Sequence, residues 1–162
     1  MKRALLSVWF LSSLLLLAGG KKDERLVIQF NLEGDASDGP KMGVGQDVAG
    51  KQIVFRVSPE IATKDVESFR PFPSEDGITY GLLLKMNRAG RQRLAATTTA
   101  NTGKMLLARL NGRTLDVVKI DKPINDGQLV IWQGVTAREI ALMDSKMPRI
   151  GESAEEWKKR KK

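Results

Sequence analysis

Met105-Leu-Leu-Ala-Arg-Leu-Asn-Gly-Arg-Thr-Leu-Asp-Val-Val-Lys-Ile120 holds two β-type runs, Met105 to Leu110 and Arg113 to Ile120, with only Asn111-Gly112 between them. Asn and Gly tolerate the positive φ angles of a two-residue hairpin turn, so the runs are expected to fold back as antiparallel strands. Upstream, Asn87 is placed to cap a helix with an Ala-rich interior from Ala89 to Ala100, and Gly103 to close it in a left-handed conformation. Before that helix, Ile78 to Met86 reads as a strand with Ile78, Tyr80, Leu82, Leu84 and Met86 on one face. Leu83 points to partial cover on the other face as well.

Further toward the amino terminus, Ile53, Phe55 and Val57 alternate with polar neighbours in a strand that Pro59 ends. A short helix is expected around Lys64 to Phe69, stopped by Pro71 and Pro73. Leu26 to Leu32 reads as another strand, and Gly34 to Gly50, rich in Gly, Asp, Ser and Pro, as a mobile connection, so the folded core is expected to start near Lys51. Downstream of the hairpin, Leu129 to Trp132 forms a strand, and Thr136 to Glu139 has the spacing of a capping box opening a helix through Met143 that ends by Pro148. Glu152 to Lys162 reads as a frayed, solvated tail.

These elements predict an α+β domain: a mostly antiparallel or mixed sheet with two to three helices packed on it. The expected organisation is an export segment over 1–20, a strand and Gly-rich linker over 21–50, the domain proper over 51–148 and a charged tail over 149–162.

Lys2 and Arg3 precede an apolar run from Ala4 to Leu17 that ends in Ala18, Gly19 and Gly20. That is a signal-peptide pattern, with Ala18 and Gly20 as the cleavage-site residues and cleavage after Gly20, and the run is shorter than the ~20 residues a spanning helix needs. An uncleaved inner-membrane anchor through residues 4–17 is the alternative. Either way the domain is expected in the periplasm or secreted. Leu17-Ala18-Gly19-Gly20 resembles a lipobox with glycine in place of the cysteine that would carry the lipid.

The 162 residues contain no Cys and no His, which removes disulfides, thiolate nucleophiles and the usual zinc ligands. No metal, cofactor or catalytic residue is expected. The net charge of +8 favours anionic partners. Export and the lack of aromatics interleaved with basic groups argue against nucleic acid, since Tyr80 and Trp132 read as core or half-buried strand residues.

Gly45-Gln-Asp-Val-Ala-Gly50-Lys51 approaches a phosphate-binding loop, but Gln52 stands where the magnesium-binding hydroxyl belongs and a strand, not a helix, follows. It reads as an ordinary Gly-rich loop. Asp65, Glu67, Glu75, Asp76, Asp116 and Glu139 sit where solvated charge is expected, so a hydrolase built on paired carboxylates is a reading that requires two of them to converge. The basic residues Lys158, Lys159, Arg160, Lys161 and Lys162, with Trp157 before them, are candidates for contact with an anionic membrane surface.

Gly90, Leu94, Thr98, Asn101 and Gly103-Lys104, then Leu106, Leu110, Asn111-Gly112, Pro123-Ile124, Gly127-Gln128, Gly134, Thr136 and Glu139 are spaced as in one family. The sequence over Gln52 to Met147 resembles the head subdomain of the first periplasmic domain of SecD, part of the SecDF protein-export complex; Ala62 to Phe69 resembles the short helix before its third strand. The resemblance implies an α+β layer structure that contacts emerging or unfolded polypeptide outside the membrane. The membrane spans and intramembrane charges of the SecD motor have no counterpart after the leader, nor has the family's base subdomain.

The expected function is therefore a non-catalytic periplasmic module that binds protein or unfolded polypeptide, with the Sec translocase as a partner, through a strand edge or apolar groove. Phe69, Phe72 and Pro73, between the first helix and the central strand, are the candidate contacts. A cell-envelope structural protein held to anionic lipid is the alternative.

Overall fold

The computed structural model describes residues 24–35, 38 and 43–160. Twelve elements follow in order: β1 (Ile28–Leu32), β2 (Gly43–Val48), β3 (Lys51–Arg56), β4 (Ile61–Ala62), β5 (Val66–Pro73), β6 (Tyr80–Met86), α1 (Arg88–Ala100), β7 (Met105–Leu110), β8 (Arg113–Lys119), β9 (Gln128–Val135), α2 (Ala137–Lys146) and α3 (Ala154–Arg160). They form an α+β fold, with every ladder between strands antiparallel.

The hairpin is present as read: Asn111 and Gly112 take φ of 50° and 82°. Asn111 also accepts from the Val27 amide at 2.8 Å and so ties the turn to the start of β1. β1 pairs with β7 over its whole length, giving a four-stranded sheet in the order β4-β1-β7-β8. Ile28, Phe30 and Leu32 are at most 1% exposed. The expectation that the core starts near Lys51 is therefore corrected: the core takes in β1, an internal strand.

The reading of Gly34 to Gly50 as a mobile connection is also corrected over residues 43–50. Gly43–Val48 pairs residue for residue with Lys51–Arg56, and this hairpin turns at Ala49-Gly50 with positive φ at both. Its Gly45 to Lys51 stretch is strand, turn and strand, the wrong geometry for a phosphate loop. Asn31 donates to the carbonyls of Arg56 and Val57, and buried Phe55 shares the face that carries Val44 and Ile53. Lys104 and Arg56 both pair with Asp35, closing the loop onto the start of β7.

β5, β6 and β9 make a second sheet. The expected helix at Lys64 to Phe69 is instead a single 3-10 turn at Thr63–Asp65 followed by β5. Pro71 and Pro73 do not stop a helix; they lie in an edge strand, where a missing N–H breaks no ladder bond. β6 begins at Tyr80, and Ile78, expected in this strand on the face of Leu82 and Leu84, is 85% exposed in the turn before it.

One core lies between the sheets and helices. It joins Phe30, Phe69, Leu82, Leu84, Leu94, Leu106, Ile131 and Met143, among others. Leu94 is the single large apolar residue of α1, so its burial carries much of that helix's packing, about 2–5 kcal/mol against alanine. Gly90 lets α1 approach the 3-10 turn at Thr63–Asp65 closely, because a Cβ there would collide with the Asp65 backbone. α2 opens with the expected capping box of Thr136 and Glu139 and buries Ile140 and Met143.

The described part of the tail, through Arg160, is not frayed. Residues 154–160 form α3, whose Trp157 indole donates to the Asp144 carbonyl at 2.9 Å. Arg160 bridges Glu152 and Asp144, and Arg149 grips Asp144 through two hydrogen bonds.

Candidate functional site

The two sheets are treated differently on the side away from the core. The β2–β3 hairpin joins the edge of the first at Glu33–Phe55, and Gln46 reaches Thr114 of β8. On the outer face of β5-β6-β9, Arg70, Gln128 and Trp132 are exposed and Phe72, Leu83, Lys85 and Val130 are half-buried. By the two-residue period of a strand, that face carries Arg70 and Phe72 from β5, Gly81, Leu83 and Lys85 from β6, and Gln128, Val130 and Trp132 from β9.

Phe72 and Trp132 meet there edge to face, with ring centroids 6.1 Å apart and planes at 73°. Gly81, which pairs with Phe72, makes room for them: a Cβ at this position would strike the Phe72 ring and come within 2.7 Å of the Trp132 carbonyl. Trp132 keeps 64% of its surface exposed, contrary to the expectation that it lies in or half in the core. Together with Pro73, Ser74, Glu75 and Gln133, the two rings line an open cavity of about 370 Å³.

The backbone beneath is held firmly. Trp132 donates its amide to Asp116 of β8 at 2.9 Å, and Arg113 donates to the Gly134 carbonyl at 2.7 Å, so side chains join β8 to β9 where no ladder does. At the rim, Asp76 accepts from the Ser74 and Thr79 hydroxyls and from the amides of Ile78 and Thr79. The Ser74 hydroxyl foremost, then Thr79, holds its carboxyl well below the usual carboxylate range. The turn that displays Ile78 is thus braced rather than loose.

Of the three contacts expected from sequence, the structure divides the set. Phe69 is fully buried and faces the core, so it is withdrawn as a contact; Phe72 faces outward, and Pro73 is exposed at the end of β5. Residues 69 and 72 lie an odd number of positions apart on one strand and so point to opposite faces, which a helix reading conceals. Trp132 was the residue missed. Its signal was position: Leu129 and Ile131 alternate inward, which sends Trp132 outward.

Strand-edge binding at β5 is blocked. The Phe69 amide and carbonyl point away from β6 and are taken by Pro148 and Ile150, and at the next outward positions, 71 and 73, proline supplies no donor. The uncovered face, not the edge, is what β5 offers.

The carboxylates serve structure. Asp65 is 2% exposed rather than solvated, accepting from Arg93 at 2.7 Å and from the Ala62 amide at 2.8 Å. Glu67 pairs with Lys85, Asp116 holds β9, Glu139 caps α2 and pairs with Arg113, and Glu75 is exposed beside Asp76. Among the described residues no group of three acidic, Cys or His side chains is arranged to hold a metal.

The membrane-contact candidates Lys158 and Lys159 are exposed on α3, while Arg160 is bound in ion pairs and Trp157 in the indole bond. Lys161, Lys162, the cleavage positions Ala18 and Gly20, and the apolar run 4–17 lie outside the described residues. No described helix is long and apolar enough to cross a membrane.

The fold and its open face define a small α+β domain with an aromatic platform on one sheet. No protein-family model matches the sequence, and no curated protein matches it either. Solved structures of SecDF do. One, of SecDF as a membrane component that enhances protein export, aligns with a TM-score of 0.54 at 22% identity, over 75% of this chain and 62% of that one. Another, SecDF in a super-membrane-facing form, aligns with a TM-score of 0.55 at 21% identity, over 75% of this chain and 19% of that one. This chain resembles a SecD domain in its fold, and spans less than two thirds of both of these SecDF chains.

The residues that carry the sequence resemblance are structural. Thr98 accepts from the Ile124 amide, Asn101 donates to the Thr97 carbonyl at the end of α1, and Gly103, Gly127 and Gly134 all have positive φ. They encode a scaffold.

Proposed function

We propose that this chain is a non-catalytic module of protein export that binds extended, unfolded polypeptide outside the cytoplasmic membrane, with the Sec translocase as its working partner. The observation that carries this reading is the pair of rings, Phe72 and Trp132, held side by side on an uncovered sheet face. Aromatic anchors of this kind supply much of the affinity at protein interfaces, because they bury large area at little entropic cost. Leu83 and Val130 extend the apolar stripe, and Arg70 and Lys85 flank it with positive charge. An extended chain can lay alternate apolar side chains on such a surface. Likeness of fold to SecDF supports the export setting.

The test is binding of a fluorescently labelled polypeptide, kept unfolded, to the full-length protein by anisotropy. Replacing Phe72 and Trp132 together by Ala should weaken binding by about tenfold or more, the scale of an interface hot spot. The folded form of the same polypeptide should not bind. Equal affinity of the variant, or equal binding of folded and unfolded forms, would overturn the reading.

A further inference from the structure

An edge strand carries backbone N–H and C=O groups that its own sheet leaves unpaired, and a stable protein blunts or covers them. Most edges here are closed. β4 is only two residues long, and β5 has Pro71 and Pro73 together with the segment 148–150 laid against Phe69. β8 and β9 face each other through Asp116 and Arg113.

β2 is different. The two-residue turn at Ala49-Gly50 makes Val48 and Lys51 a hydrogen-bonded pair, so Val44, Gln46 and Val48 bond to β3 while the peptide groups of Gly43, Gly45 and Asp47 point away from it. β3 shows the same alternation on its other side, where the Val54 carbonyl accepts from the Gly34 amide and the Arg56 carbonyl from Asn31. Among the described residues, the outward main-chain groups of Gly43, Gly45 and Asp47 have no hydrogen-bond partner.

The side chains leave this edge open as well. Gly43 is required by packing, since a Cβ there would lie 2.2 Å from a Val54 methyl. Gly45 is not: its φ lies outside the left-handed region, and a Cβ would meet only the Gln52 side chain, at an ordinary 3.5 Å. Glycine weakens a strand, and where packing does not demand it, it marks a place where another backbone comes close. Asp47, the one charge on β2, turns its carboxylate to the Gly50 amide. The strand is held in place from behind, through the Gln46 bond to Thr114 and the burial of Phe55.

We propose that β2 accepts an extended segment of another polypeptide as an added strand, recognised through its main chain and therefore tolerant of sequence. Donors and acceptors that recur at every second residue fit one kind of ligand, a chain in the extended conformation. Gly43 and Gly45 present no side chain that would select among residues. A second copy of this chain fits less well, because three outward residues fall far short of the roughly 1,000 Å² that a stable interface buries. The site lies apart from Phe72 and Trp132, and the proposal holds whatever those rings bind.

Hydrogen exchange read by NMR on the full-length protein tests it, with a ten-residue peptide of alternating threonine and valine as probe. The amides of Gly43, Gly45 and Asp47 should exchange freely without peptide and about tenfold or more slowly with it. The same peptide N-methylated on both of its edges should leave them unprotected. Gly45→Pro removes an outward donor and no ladder bond, so peptide binding, followed by anisotropy, should fall about tenfold or more. Gly45→Ala should bind within about twofold of the parent. Replacing Phe72 and Trp132 together by Ala should leave the protection at β2 unchanged, which separates this site from the aromatic face. Slow exchange at these amides in the peptide-free protein, protection that grows with protein concentration alone, or equal effects of the two peptides would overturn the proposal.

Discussion

The Phe72 ring lies against Trp132, 6.1 Å between centroids, across a residue that has no side chain. Gly81 is what lets two aromatics from β5 and β9 meet over the middle strand. Gly81→Ala should therefore displace Phe72 and crowd the Trp132 carbonyl, with a cost of about 1–3 kcal/mol typical of overpacking. Urea unfolding reads the loss. A neutral result would mean that the rings do not depend on this gap.

Trp132→Ala should separate binding from folding. The ring is mostly exposed, so stability should fall by less than about 1 kcal/mol, while affinity for unfolded polypeptide should drop several-fold. Chemical denaturation and anisotropy on the same preparation measure both. A large stability loss would assign the side chain to the fold instead.

Gly90→Ala reverses the usual sign of a helix substitution. Alanine in place of an interior helix glycine normally gains about 1 kcal/mol. At Gly90 the added methyl would meet the Asp65 backbone and push α1 from its seat, so the variant should lose 1 kcal/mol or more, on the scale of ~1–3 kcal/mol for overpacking. A higher unfolding midpoint would show that α1 can shift without cost.

Asp65→Ala removes a buried carboxylate that accepts from both Arg93 and the Ala62 amide. It leaves the Ala62 amide without its partner and Arg93, whose side chain is 41% exposed, to solvent, for an expected loss of about 1–3 kcal/mol. Asp65→Asn keeps the shape and one acceptor, so it should lose less. If the two variants unfold alike, the charge contributes little.

The docking of α3 should be sensitive to acid. Arg160 foremost, then the Arg149 amide, lowers the Glu152 carboxyl to about 2, below the usual carboxylate range. A carboxylate depressed on folding adds stability that is present above the unfolded value and lost as pH falls toward the folded one. Protection of the amides of Ala154 to Arg160 against hydrogen exchange should thus decline between about pH 4.5 and pH 2, ahead of the core. Glu152→Gln should weaken protection at neutral pH and reduce this dependence; unchanged protection would detach Glu152 from α3.

Local chemistry made much of the fold legible. Asn111-Gly112, the Asn87 cap and the Thr136 to Glu139 capping box act within a few residues of themselves, and each appears where its residues place it. The misread segments depend on distant partners. Gly43–Val48 is poor in strand formers and becomes a strand because Lys51–Arg56 pairs with it and Asn31 and Lys104 hold the unit to the sheet. Residues 66–69 have helix-compatible composition, but their ladder with β6 wins. The tail becomes a helix through Asp144, Arg149 and Glu152.

The linear chain by itself determined an α+β scaffold, its turns and caps, and a lack of cysteine and histidine chemistry, because those depend on residue identity and short spacing. Only the tertiary structure decided that Phe69 turns inward and Phe72 outward, that Trp132 crosses the sheet to meet it, and that the start of the domain and α3 share one pole. Such relationships join residues 60 to more than 100 positions apart, and no local preference encodes which face of a strand, or which end of a molecule, two distant segments will share.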